Sequence, residues 1–352
     1  MLLYESIHTI DVDGGKCVRR TIPEDFAGFI NEYIEYATQN ESIKYYTIQN
    51  ESAAVVSYIS KIAKVSVAKQ ENFDKEMCDL DVLSQAIADK LVREEQQAQL
   101  KIQPLGQKIK KGSLVQAFIQ VDATEYLYIV AKVEHTEYFD GASLRKSFGF
   151  PSEKKNIWKS AVFRMNIEQE ISFDLVRVYL DNEAKYWTSS FLELSEERDD
   201  ESNTKTAYKA IDQELKRYVR KKSERDYLIL RNAVYQKMRT SRWLNYSEMI
   251  HDLLTGYEPD NPELDIPVLE EKLLKLPENK KFDAQFHIVP AALEGKWHLK
   301  YQVMSNIELR INGEIDDVKE SITACTDEYG NRYIKIKCDE EKTFEAFGGR
   351  RL

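Results

Sequence analysis

The feature that most constrains the fold is a pair of segments, residues 114–121 and 126–133, rich in β-branched and aromatic side chains and separated by little more than Asp122-Ala123-Thr124. Such side chains fit a pleated surface, and so short a connection joins neighbouring strands antiparallel. The spacing predicts a hairpin, and residues 160–166 and 173–180 read as further strands of the same sheet.

The segments before this hairpin have a helical period. Thr21-Ile22-Pro23-Glu24 has the spacing of a capping box with Pro23 in the first turn, and Phe26, Phe29, Ile30, Tyr33, Ile34 and Ala37 then share one face. Residues 53–63 read as a second helix, and Phe73, Met77, Leu80, Leu83, Ile87 and Leu91 mark a third. Helices and strands come in blocks and do not alternate, so the expected class is α+β, with the N-terminal helices packed on one side of a mostly antiparallel sheet. Residues 1–182 form this expected domain. A basic helical region follows at 183–258, opening with Tyr186, Trp187, Ser190, Phe191 and Leu194 on one helical face and a charged loop at 196–203. A linker with Pro259, Pro262 and Pro267 and a short helix at 268–276 fills 259–281. A small β-rich C-terminal unit, 282–352, has expected strands at 283–289 and 303–311 and a hairpin of 322–326 with 333–337.

Charge is unevenly spread. The chain carries a net charge of −10, which opposes contact with phosphates. Yet residues 205–242 hold twelve Lys and Arg against four acids, a local balance of +8. On a helical projection Tyr208, Ile211, Leu215 and Tyr218 cluster on one side, and Lys209, Lys216 and Arg220 on the other with Arg217 at the margin. Lys221 follows directly, and Arg225 and Arg239 fall on the outer side of a second helix capped by Ser223. Such a row of cations can track a phosphate backbone; a plain solvated face is the competing explanation. A second basic stretch, with Arg145, Lys146, Lys154 and Lys155, is interleaved with Phe148, Phe150 and Trp158. There the aromatics are expected to plug the edge of the sheet core, with the lysines in a wet loop.

Catalytic signals are few. Phosphate-binding glycine loops, the metalloprotease His pair and the nucleophile elbow are all missing from the sequence. The five histidines are scattered, and the four cysteines form no close pair. Asp316-Asp317 beside Gly313 reads as an ordinary acidic turn rather than a nuclease centre. The expectation is a non-enzyme with no metal and no cofactor. No apolar run approaches the ~20 residues of a membrane span and no leader is recognisable, so a cytoplasmic protein without membrane contact is expected.

Several blocks, in order along the chain, carry a resemblance. They are Ile7-His8-Thr9-Ile10-Asp11, the hairpin 118–133, Lys159-Ser160-Ala161-Val162-Phe163-Arg164-Met165-Asn166, and the segment 177–191 with Tyr179-Leu180. Phe282-Asp283-Ala284-Gln285-Phe286-His287-Ile288, Asn306-Ile307-Glu308-Leu309-Arg310-Ile311 and Gly330-Asn331-Arg332-Tyr333-Ile334-Lys335-Ile336 continue it. Together they resemble the bacterial nucleoid-associated proteins of the NdpA/YejK type, as a distant member: Pro277-Glu278-Asn279-Lys280 stands where better-known members have a glycine-rich stretch. The resemblance implies nucleoid localisation, binding of double-stranded DNA with little sequence preference, and a homo-oligomer, with a dimer expected. It implies no catalytic residues. Two other readings stay open: a DNA-sensing or accessory subunit of a phage-defence system, and a scaffold whose basic helices dock an acidic protein.

Overall fold

The computed structural model describes residues 1–68, 73–139, 146–150, 157–181, 184–295 and 298–348; the side chains at 25–27, 29–30, 33, 73–75, 139, 146–148 and 157–158 lie outside that description. Among the described residues no helix is long and apolar enough to cross a membrane. The chain divides into two compact units, Met1–Asp199 with Asp283–Phe286, and Asp200–Phe282 with His287–Leu352.

The first unit is built on a nine-stranded sheet. In chain order its elements are β1 (Leu2–Asp11), β2 (Lys16–Arg20), α1 (Glu24–Gln39), β3 (Lys44–Thr47), α2 (Ala54–Val67), α3 (Phe73–Ile102), β4 (Gly112–Gln120), β5 (Glu125–Glu134), β6 (Thr136–Phe139), β7 (Lys146–Gly149), β8 (Ile157–Ile167), β9 (Ile171–Phe173), β10 (Val176–Leu180) and β11 (Ser195–Glu196). The strand order is β11-β3-β10-β8-β5-β4-β1-β2, with β9 beside β8, and β6 pairs β7 separately. The described neighbours run antiparallel. The class is α+β, and the predicted β4–β5 hairpin forms its centre, with Phe118 opposite Tyr128. Gly112 is required where β4 meets the end of β5, because a Cβ there would lie 2.4 Å from the Val133 carbonyl oxygen.

Helices cover both faces of the sheet, not one. Ile34 and Ala37 of α1 pack in one core with Ile7, Val115, Ala117, Ile129, Ala131 and Val133. The alternate residues, Gln116, Tyr128 and Lys132, face α3: Gln116 donates to the Ser84 carbonyl (3.0 Å) and Lys132 to Glu95 (2.5 Å). The physical reason is visible in the strands. β4 is buried on both sides over seven successive residues and β5 over nine, so one helical layer cannot cover them.

That second face carries charge into the core. Lys132 and Glu95 are both fully buried. Tyr186 donates its hydroxyl to Glu95 (2.8 Å), and Lys132 also reaches the Lys110 carbonyl (3.2 Å). Nearby, Lys159 on β8 lies 3.9 Å from Glu134. Burial and the neighbouring Lys132 push the Lys159 amine down to about 8. Further along α3, the Tyr4 hydroxyl and Ser84 Oγ lie 2.7 Å apart, and Tyr128 donates to Gln116 (2.8 Å). Beside them burial, with Arg19, holds the His8 imidazole down at about 4 despite the pull of Asp89.

Several local expectations differ from the structure. Pro23 is itself the N-cap of α1, extended at φ −68° and ψ 152°, with no side-chain cap bond, so Thr21 sits too early for a capping box. The segment after residue 183 belongs to the first unit rather than to the basic region. A π-helical turn, Trp187–Phe191, buries both of its end side chains, and the expected charged loop begins with β11, which pairs β3. Glu193, in the left-handed region at φ 56°, caps α2 by accepting from the Ala54 amide (3.1 Å) and pairs with Lys90. Asp283–Phe286 return to this unit as a staple. Asp283 accepts from Tyr45 N (3.3 Å) and Arg198 (3.0 Å), while the Gln285 amide bonds both the N–H and the C=O of Leu180 (3.0 and 2.9 Å).

The second unit is mainly helical: α4 (Asp200–Tyr218), α5 (Glu224–Thr240), β12 (Trp243–Asn245), α6 (Tyr246–Leu254), α7 (Ile266–Leu274) and α8 (Leu276–Lys280). After the short strand β13 (Gln285–His287), shared between the two units in sequence, come β14 (Leu299–Met304), β15 (Ile307–Ile311), α9 (Val318–Ser321), β16 (Ile322–Thr326), β17 (Arg332–Ile336) and α10 (Glu341–Ala346). The expected strand at 303–311 is instead the hairpin β14–β15, turned at Ser305-Asn306, and the expected helix at 268–276 begins earlier, at Ile266, after the N-cap Asp265.

Candidate nucleic-acid interface

The α4 sequence sorts itself as its period requires. Ala207, Tyr208, Ile211 and Leu215 are buried, and Lys205, Lys209, Lys216 and Arg217 are exposed. The helix stops at Tyr218, two residues before the projected row ends. Arg220 and Lys221 therefore lie in the turn into α5, also exposed. The cause is the next helix: the Ser223 side chain accepts from Asp226 N (3.0 Å) and starts α5 afresh. Arg225 and Arg239 are exposed on α5, while Val234 and Met238 are buried.

Most of these cations hold carboxylates. Lys216 pairs with Asp212 (2.7 Å), Arg217 with Glu214 (2.7 Å), Arg220 with Glu224 (2.8 Å), Arg225 with Asp260 (2.8 Å) and Arg239 with Glu314 (3.2 Å). Lys209 and Lys221 have no carboxylate partner among the described residues. The sequence balance of +8 therefore needs correction in space. Lys205, Arg225, Lys237 and Arg239 take Glu201, Asp260, Asp252 and Glu314, four acids from outside 205–242, which leaves +4.

Two acids inside the segment organise it. Asp212 accepts from Tyr227 (2.8 Å), Arg231 (2.7 Å) and Lys216; burial pushes its carboxyl up, but these partners outweigh it and the net shift is downward. Arg231, one of the twelve cations counted, is itself buried in this network and offers nothing to a ligand. Asp226 is fully buried and accepts from the Tyr257 hydroxyl (2.6 Å) and from the Asp260 and Asn261 amides (2.9 and 3.2 Å), which ties the 257–261 segment to α5.

A cleft of about 370 Å³ opens beside Arg217, lined also by Glu214, Glu271, Lys272, Lys275, Asn279 and Lys280. It joins the end of α4 to α7 and α8. Lys272 and Lys222 both lie against the Tyr218 ring, 5.6 and 4.7 Å from its centroid. These lysines lie outside the basic row expected from the sequence. The signal was present, since residues 271–281 hold four lysines against two acids.

The second basic stretch fares differently. Arg145, Lys154 and Lys155 lie outside the described residues, as does the Lys146 side chain, whose backbone is in β7. Phe150 packs against the sheet core, 5.1 Å from the His135 ring.

The catalytic inventory is thin. Among the described residues no group of three or more His, Cys, Asp and Glu could hold a metal. Ser113 Oγ lies 2.9 Å from His135 Nε2, but Ser113 is fully buried. Cys17 is pushed up to about 12 by burial and Asp89, which leaves it a thiol. No family model, curated protein or solved structure matches this chain.

Proposed function

We propose that the chain is a nucleoid-associated protein that binds double-stranded DNA through phosphate contacts with little sequence preference. The observation that carries this reading is the exposed cationic row of α4 and its following turn: Lys209, Lys216, Arg217, Arg220 and Lys221. Arg225, Arg239 and the cleft lysines extend it. Exposed ion pairs are worth about 0.2–1 kcal/mol, so a phosphate can exchange for the carboxylates these groups now hold. The near-neutral charge of the second unit, 26 Lys and Arg against 27 Asp and Glu, implies modest affinity that salt weakens steeply. A cytoplasmic, nucleoid location and self-association belong to the same reading.

The test is anisotropy of a labelled random-sequence duplex across a salt series. Affinity should fall with log[salt] at about −0.9 per phosphate contacted. Changing Lys216, Arg217, Arg220 and Lys221 together to Glu should abolish binding. Unchanged binding by that variant would displace the interface from α4. Absence of binding by the wild type at low salt would favour a protein scaffold instead, a reading supported by how readily this surface accepts carboxylates.

A further inference from the structure

The C-terminal part of the second unit is clothed unlike the rest. Residues 299–348 make up about a seventh of the chain, yet they supply nine of the twenty large apolar side chains exposed among the described residues. The β16–β17 hairpin is the centre of this patch. Its strands pair with each other and with no other described strand, and every residue of β17 is exposed. An isolated two-stranded hairpin is marginal in water; three or more strands with an apolar face are needed for independent stability.

The hairpin's two edges differ. Lys337 N donates to the Ser321 carbonyl (2.9 Å) and Asp327 N to the Asn331 carbonyl (3.0 Å). With the two-residue period of an antiparallel ladder, 321, 323, 325 and 327 face β17. The main-chain groups of Ala324 and Thr326, with the Ile322 carbonyl, therefore face outward; the Ile322 N–H is already used, on the Val318 carbonyl. β17 carries Arg332 and Lys335, the charges that commonly guard an edge strand, and Lys337 follows it. β16, Ile322-Thr323-Ala324-Cys325-Thr326, carries none, and has neither proline nor bulge. Of the described edge strands with five or more residues, β2, β14, β15 and β17 all contain Lys or Arg, and β16 alone is uncharged.

We infer that β16 is a docking edge for β16 of a second copy of this chain, antiparallel, giving a four-stranded sheet β17–β16–β16–β17. The occupant follows from the charges. An uncharged strand lies against itself with no like-charge cost, whereas β17 against its own copy would gather Arg332 and Lys335 of both copies along one seam. The pairing also merges two small apolar strips. Ile322, Ala324, Ile334 and Ile336 share one face of the hairpin, through the pairs Ile322–Ile336 and Ala324–Ile334, and doubling them makes one continuous apolar surface. This gives the self-association of the proposed function a location, and rests on that part of the reading alone. The test contains no DNA, so its failure and that of the DNA assignment are separate.

Sedimentation velocity of the full chain at micromolar concentration should show a dimer. Ala324→Pro removes an outward N–H and none of the hairpin's own bonds, and Thr323→Lys charges the edge. Each should weaken association about a hundredfold, with far-ultraviolet circular dichroism unchanged. Hydrogen exchange on the wild type supplies a readout independent of any variant: the Ala324 and Thr326 amides should exchange at least about tenfold more slowly in the dimer than after dilution. A wild-type monomer, a dimer retained by both variants, or a dimer in which those two amides exchange freely overturns the assignment.

Discussion

The two units place charge in opposite ways. The first holds 33 acids against 24 bases and is the acidic part of the molecule, yet it buries an ion pair completely, Lys132 with Glu95, and nearly buries Lys159 with Glu134. The second is almost neutral, and apart from the sequestered Arg231–Asp212 pair most of its pairs reach water: Arg220 and Glu224 are 43% and 44% exposed, and Arg217 is 68% exposed. Removing one partner of a buried pair strands a charge in a medium that cannot solvate it, whereas an exposed partner is replaced by water. Composition alone therefore misleads about role. The acidic unit carries charge into its core, and the neutral unit keeps most of its own at the surface.

The contrast can be broken most sharply at Glu95. Glu95→Ala leaves Lys132 unpaired and deprives Tyr186 of its acceptor, and should cost about 3–5 kcal/mol, read as lost hydrogen-exchange protection across β4 and β5. Glu95→Leu combined with Lys132→Met should restore most of it. If the single variant costs under about 1 kcal/mol, the two units do not differ in the way described.

His8 sharpens the comparison through pH. Its imidazole is neutral when folded, with a value of about 4 against 6.5 when unfolded. The unfolded chain thus binds the extra proton as pH falls through 6.5, and the folded chain only near 4. Stability contributed by this group is complete above 6.5 and should fall by about 3 kcal/mol by pH 4. His8→Asn should flatten that slope in urea titrations of the first unit. An unchanged slope would remove His8 from the account.

In the second unit, Asp226→Ala should cost about 2 kcal/mol, because the 257–261 amides lose a buried acceptor; exchange of the Asp260 and Asn261 amides is the measurement. The smallest effect belongs to Arg220→Ala. It should change stability by less than about 0.5 kcal/mol while lowering duplex affinity and reducing the salt slope by about 0.9. A large stability loss there would mean that the surface pairs are structural after all.

Much of the fold was legible where one physical signal dominated. The β4–β5 hairpin follows from its β-branched runs, and the inner face of α4 from its period. The end of α4 did not follow, because the Ser223 cap, a local competitor, overrides the projection. The β14–β15 hairpin was hidden because its turn, Ser305-Asn306, carries neither glycine nor proline to break the alternation of 299–311. Helices on both faces of the sheet do not follow from the sequence, because polar Gln116 and Lys132 suit a solvated face and only their bonds to α3 make them interior. The exposed cations of α4 and α5 were legible from the helical period. Their partners were not: Asp252, Asp260 and Glu314 come from other elements, and a window along the chain does not see them.

The return of Asp283–Phe286 to the first unit bears on how the molecule is made. Tyr45 waits 238 residues for Asp283, and Leu180 waits 105 for Gln285. At about 5–20 residues per second of synthesis, strand β3 emerges roughly 10–50 s before its last partner. Over that interval the whole of α4 to α8 leaves the ribosome. The second unit's helices, rich in contacts between near neighbours, can set first, and the sheet that begins the chain is among the last parts to be finished.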